Sequence, residues 1–227
     1  MSHPIVVFDL DGTLIDTAPD LLGTLNLILA TEGIPPVAGE DARAMIGFGI
    51  RPLIERALAS QQRDLSDGAV DALFARYIRH YQAHIADASQ PFPGLETALD
   101  HLAEAGFRLA VCTNKYEALS LRLLDALGLS SRFAAICGQD TFPVKKPDPD
   151  ALRLTIDKAG GNPARAVMVG DSETDVRVAR AAAIPVVGVS FGYTPVPMAE
   201  LSPDRLIDHF DELPEAIARL MSINAGD

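Results

Sequence analysis

Five short apolar runs punctuate the 227-residue chain: "IVVFD" (5–9), "RLAVCTN" (108–114), "RFAAICG" (132–138), "RAVMVGD" (165–171) and "IPVVGVS" (184–190). None alternates polar with apolar residues, so a strand made from any of them buries both faces, as in a parallel sheet covered by helices. Helical patterns lie between them. "LETALDHLAEAG" closes at Gly106, and "DPDALRLTIDKAGG" opens with Asp148 placed to cap and Pro149 at the first helical position. The alternation predicts an α/β fold whose core is a doubly wound, Rossmann-like parallel sheet.

The rhythm breaks between residues 16 and 92, where amphipathic helix patterns follow one another ("APDLLGTLNLILATEG", "IRPLIERALAS", "DGAVDALFARYIRHYQAHIA") with no convincing strand. The turn-rich "QPFPG" ends this stretch. Residues 1–15 and 93–227 are therefore expected to form the core domain, and 16–92 an inserted all-α cap packed over it.

Charge narrows the partners. With 19 Lys and Arg against 31 Asp and Glu, the formal net charge is -12, which disfavours nucleic acid and anionic membranes and favours small molecules. No apolar segment is long enough to span a bilayer, and the N-terminus lacks a secretory signal pattern. Cys112 and Cys137 lie in apolar runs without metal-site spacing and read as ordinary buried thiols. A cytoplasmic protein is the expectation.

In open α/β sheets, ligands gather beyond the carboxyl ends of the strands. Polar residues stand there: Asp9 and Asp11, Thr113 and Asn114, Gly170 and Asp171, and the "KKPDP" of 145–149. Asp9 and Asp11, two apart in an extended segment, can converge on one point unless the turn permitted by Gly12 intervenes. Close carboxylates repel unless a cation separates them, and with Asp171 they form an oxygen donor set for a hard divalent ion, Mg²⁺ first. Roughly three negative charges are then offset by about two from the metal and one from Lys146, which leaves room for a phosphate.

"DLDGTL" (9–14), Thr113 after an apolar strand, Lys146 before Pro147, and "GDSETD" (170–175) resemble, in order, the four motifs of the haloacid dehalogenase superfamily. The resemblance covers the core from end to end. It implies a phosphatase in which Asp9 attacks phosphorus to give an aspartyl phosphate, and Asp11 protonates the leaving alkoxide and then activates water. Thr113 and Lys146 would hold phosphoryl oxygens, and Mg²⁺ would be bound by the Asp9 carboxylate, the Asp11 main-chain carbonyl and the Asp171 carboxylate, with Asp175 behind them. Asn114 is a further candidate for contact with substrate or phosphate.

The superfamily spans several chemistries. Its dehalogenases lack the second acid of the first motif, since a halide leaves without a proton, so Asp11 points to a phosphate ester. Its phosphonatases need a Schiff-base lysine in the cap, and no lysine precedes Lys115. The segment "MIGFGIRPLIERAL" (45–58) and the loop "SFGYT" (190–194) resemble those of bacterial phosphoglycolate phosphatases, which implies 2-phosphoglycolate as the small phosphorylated substrate. Amides at Gly47 to Gly49, with Arg51, could then receive its carboxylate. A pyrophosphatase, a sugar phosphatase, a phosphosugar mutase and a non-catalytic phospho-receiver are the alternatives. His80 and His84 have the spacing of a metal pair on a helix but no supporting HExxH context, and read as a solvated or packed face.

Overall fold

The computed structural model describes residues 3–223. The apolar runs become strands of one parallel sheet: β1 (His3–Phe8), β4 (Arg108–Cys112), β5 (Ala135–Cys137), β6 (Gly161–Gly170) and β7 (Val186–Val189), with β8 (Arg205–Ile207) at one edge. β2 (Ile15–Asp16) and β3 (Gln90–Pro91) form a separate antiparallel ribbon. The sheet order is β5-β4-β1-β6-β7-β8. The chain thus winds outward from β1 in both directions, and the reversal beside β1 opens a crevice at the strand ends.

Residues of β1 divide between two cores as the pleat requires. Val6 and Phe8 face one apolar cluster, and Ile5 and Val7 face the other with Ala110, Cys112 and Met168. α5 (Leu95–Glu104), α6 (Glu117–Ala126), α7 (Pro149–Lys158), α8 (Glu173–Ala182) and α9 (Leu213–Ile223) cover the sheet. Asp148 caps α7 by accepting a hydrogen bond from Asp150 N at 3.0 Å. Cys112 and Cys137 are free, buried register partners, and burial pushes the Cys112 thiol up to about 11.

Three elements differ from the sequence reading. β5 is shorter than the 132–138 run, because Ser130–Arg132 forms a 3-10 turn and Phe133 only approaches the sheet. β8 gave no apolar signal because only Ile207 of its three residues is buried. The 16–92 stretch is not flanked by plain loops: its first and last residues pair as the β2–β3 ribbon, too short for any periodicity to register.

Between the ribbon strands lie α1 (Ala18–Ala30), α2 (Gly39–Arg43), α3 (Ile50–Ser60) and α4 (Asp67–Ala83). α1 and α4 bury Leu21, Leu25, Val70, Leu73 and Tyr77, and the Tyr77 hydroxyl donates to Leu21 O at 2.9 Å. Where the insert meets the core, Asp20 is buried and accepts from Ala88 N, Ser89 N and Ser89 Oγ, the last at 2.7 Å. One carboxylate thereby ties the outgoing chain to the returning one.

Asp20→Ala strands two main-chain donors at this junction. A loss of about 3 kcal/mol in denaturant unfolding is expected. A loss below about 0.5 kcal/mol contradicts the role given to Asp20.

Candidate active site

β1 ends at Phe8, but Asp9 N still donates to Val169 O at 2.9 Å, so Asp9 continues the sheet for one residue and projects from its end. The chain then turns sharply on Gly12, whose φ is +82°. A side chain there would be strained, and its Cβ would lie 2.4 Å from Asp171 Oδ2. Gly12 lets the first loop close against the carboxylate that arrives from β6.

Three carboxylates meet at this point. Ligand oxygens of Asp9, Asp171 and Asp175 lie within 4.8 Å of one another, all buried. Asp9 Oδ1 accepts from Leu10 N at 2.7 Å and stands 2.9 Å from Lys146 Nζ. Asp171 accepts from Thr13 Oγ1 (2.9 Å) and Tyr193 N (2.8 Å). Asp175, at the first turn of α8, takes Lys146 Nζ on one oxygen (2.6 Å) and Ser172 N and Oγ on the other (3.1 and 2.6 Å). Asp175 thereby holds Lys146 in place.

The electrostatics follow from burial. Loss of water pushes the Asp9 carboxyl up to about 6, with Lys146 opposing and Asp175 adding to the rise. Asp171 rises to about 8 from burial and from its acidic neighbours Asp175 and Asp9. For Lys146, burial favours the neutral amine, but Asp175 and Asp9 outweigh it and hold the ammonium firmly charged. Three carboxylates against one ammonium leave about two formal negative charges in a dry site. An all-oxygen donor set with that excess fits a hard divalent cation, and Asp9, Asp171 and Asp175 are close enough together to hold one.

Asp11 does not join this cluster. The turn at Gly12 carries it the other way, and its carboxylate accepts from Lys115 Nζ at 2.9 and 3.1 Å and from Thr17 Oγ1 at 2.8 Å. Asp9 and Asp11 line the same cleft, while the carboxylates that cluster closely are Asp9, Asp171 and Asp175. Asp11 is balanced separately, by a lysine the sequence reading passed over. Lys115 also donates to the hydroxyl of Tyr81, from α4, at 2.8 Å.

Thr113 N donates to Cys137 O, and its hydroxyl accepts from Lys115 N at 3.2 Å. Asn114 Nδ2 donates to Lys146 O at 3.2 Å, while its buried Oδ1 has no hydrogen-bond partner among the described residues. A small cleft is lined by Asp9, Asp11, Thr113, Asn114 and Lys115 and, from the stretch between β2 and β3, by Gly47, Gly49, Ile50 and Leu53. Arg51 is not among its walls. It faces outward and pairs with Glu55 (3.4 Å) and Asp71, so its placement gives no support to the carboxylate-binding role expected of it. His84 pairs with Asp87 and His80 with Thr24, an arrangement of packed surface side chains.

The family model for haloacid dehalogenase-like hydrolases matches residues 6–189. The chain belongs to that family. A phosphoglycolate phosphatase of Mesorhizobium japonicum is 51% identical over 226 residues, covering all of both chains, and one of Agrobacterium fabrum is 49% identical over 98% of this chain and 96% of its own. The crystal structure of a predicted phosphoglycolate phosphatase from Haemophilus somnus superposes with a TM-score of 0.88 at 28% identity, covering 95% of this chain and 98% of that one. Membership of a hydrolase family sets aside the phospho-receiver reading. Among the described residues, no helix is long and apolar enough to cross a membrane.

The raised carboxylates set a pH dependence. Asp9 and Asp171 have folded values above the ordinary 3.8, so the folded chain holds protons that the unfolded chain has released. The stability this confers is complete below about pH 4 and is lost as pH rises through about 6 and then about 8. In EDTA, the unfolding free energy is expected to fall by a few kcal/mol between about pH 5 and pH 9. A flat or rising profile contradicts the buried, like-charged geometry.

Proposed function

We propose that this protein is a metal-dependent phosphomonoesterase that hydrolyses 2-phosphoglycolate to glycolate and phosphate through an aspartyl phosphate on Asp9. The observation that carries the reading is the position of Asp9: buried at the end of β1, fixed by Leu10 N and Lys146, and at the lining of a small cleft that Thr113 also lines. The naming of close full-length relatives as phosphoglycolate phosphatases supports the substrate.

The ester phosphoryl group enters with phosphorus facing Asp9. A carboxylate oxygen of Asp9 forms the new P–O bond as the ester P–O bond breaks, and the departing alkoxide takes a proton from Asp11. In the second step Asp11 accepts a proton from water, the hydroxide oxygen bonds to phosphorus, and the Asp9–phosphorus bond breaks to release phosphate and restore the carboxylate. Lys146 and Thr113 stabilise the phosphoryl oxygens while charge redistributes. Thr17 and Lys115 fix the Asp11 carboxyl so that it faces the leaving group rather than the acid cluster. Mg²⁺, held by Asp9, Asp171 and the Asp11 main-chain carbonyl, would neutralise the excess negative charge and polarise the phosphoryl group when bound. The insert acts as a cap: Ile46, Ile50, Leu53 and Leu21 give the cleft an apolar wall that displaces water from the aspartyl phosphate.

Two outcomes are expected. Asp9→Asn, whose amide is neither nucleophile nor anion, lowers phosphate release from 2-phosphoglycolate by about 10³-fold or more while the circular dichroism spectrum is unchanged. Retention of more than about a tenth of the wild-type rate contradicts Asp9 as nucleophile. Separately, Mg²⁺ raises the melting temperature more at pH 8 than at pH 6, since metal and protons compete for Asp9 and Asp171. An equal rise at both pH values, or none, removes these carboxylates from the metal site.

A further inference from the structure

We infer that Lys115, and not an arginine of the cap, is the residue that selects a leaving group carrying a carboxylate. The inference rests on the phosphatase reading of the site and deepens it. Lys115 is the one cationic side chain among the residues that line the cleft. Its side chain is 2% exposed, yet it sits at the cleft beside Asp11, where the leaving-group oxygen must lie for Asp11 to protonate it. In a 2-phosphoglycolate ester the carboxylate is separated from that oxygen by a single methylene. The only reachable full positive charge on the lining is then the Lys115 ammonium.

The rest of the cleft agrees with this placement. The α3 N-terminus opens on Gly49, which lines the same cleft from the cap side, so partial positive charge from its amides faces the space opposite Lys115. Ile46, Ile50 and Leu53 give the same side of the cleft an apolar lining, and the Gln139 amide is the polar side chain nearest Gly49. Arg51, the cation that helix α3 does carry, is turned away into pairs with Glu55 and Asp71.

Lys115 can serve both Asp11 and substrate. Its three ammonium protons are divided among two Asp11 oxygens, at 2.9 and 3.1 Å, and the Tyr81 hydroxyl at 2.8 Å. One contact holds Asp11, so the longer one can be exchanged for a substrate oxygen without releasing the pair. Tyr81 comes from the cap and Lys115 from the core, and their hydrogen bond fixes the ammonium only when the cap is seated. Recognition of the leaving group and closure of the site thus share one atom, Lys115 Nζ.

The test compares kcat/KM for 2-phosphoglycolate with that for ethyl phosphate, which has the same skeleton without the carboxylate, in wild type, Lys115→Met and Lys115→Arg, each checked by thermal melting. Lys115→Met is expected to reduce the preference for the carboxylated ester by about 10- to 100-fold, beyond any loss common to both substrates from a less well held Asp11. Lys115→Arg, which keeps the charge and the fold, retains a preference but raises KM for 2-phosphoglycolate alone. Equal losses on the two substrates in Lys115→Met, or an unchanged ratio in Lys115→Arg if the Met variant does not fold, overturn the inference and leave the phosphatase reading intact. A wild type that prefers a different carboxylated ester, with a preference that Lys115→Met removes, supports the inference and overturns 2-phosphoglycolate as the substrate. A wild type indifferent to the carboxylate overturns both.

Discussion

The ammonium of Lys146, buried between Asp9 and Asp175, is the contact on which the rest of the site depends. Removing one member of a buried ion pair costs roughly 3–5 kcal/mol because its partner is left charged in a dry environment. Here the arrangement spans three chain segments: the end of β1, the loop before α7 and the first turn of α8. It fixes the direction of Asp9, while Thr13 and Tyr193 engage the two oxygens of Asp171. Burial pushes both Asp9 and Asp171 upward, with repulsion from Asp175 adding to each and repulsion from Asp9 adding to Asp171. A folded site that keeps two such groups together is poised for a counter-charge, which is the electrostatic state a metal-dependent phosphoryl transfer requires.

The helical stretch between β2 and β3 is tied to this centre by separate polar contacts. Tyr193 donates its backbone N–H to Asp171, and its hydroxyl meets Asp16 and accepts from Ala18 N at 3.0 Å, where the insert begins. Asp20 binds Ala88 and Ser89, just before β3 returns. Lys115 joins Asp11 to Tyr81 on α4. The β2–β3 ribbon, the acid cluster and the cleft are thus linked through short side-chain contacts.

Much of this was readable in the sequence because sheet geometry converts order along the chain into position. A run such as "IVVFD" can only be a strand buried on both faces, and the polar residue that ends it must then face the crevice. Asp9, Thr113 and Asp171 were legible for that reason, as was the N-cap at Asp148. The direction of Asp11 was not, because a two-residue spacing says nothing once Gly12 turns the chain. Lys115 was hidden for a related reason. At the start of a helix a lone lysine looks solvated, and its burial is created by Tyr81, more than thirty positions earlier and in another layer. Arg51 was singled out for following the glycines that open α3, and the sequence could not tell that Glu55 and Asp71 pair with it. β8 and the β2–β3 ribbon are too short for any pattern, and only tertiary pairing defines them.

The central claim is that Asp9 bonds covalently to phosphorus because Lys146 and Asp175 hold it at the cleft. The most direct measurement is peptide mass spectrometry of the enzyme acid-quenched during turnover of 2-phosphoglycolate. The account predicts a phosphoryl group on the peptide carrying Asp9 at its first acidic position, lost on treatment with hydroxylamine and absent without Mg²⁺. A phosphoryl group found on another residue, or single-turnover kinetics with no phosphoenzyme at any quench time, would contradict it.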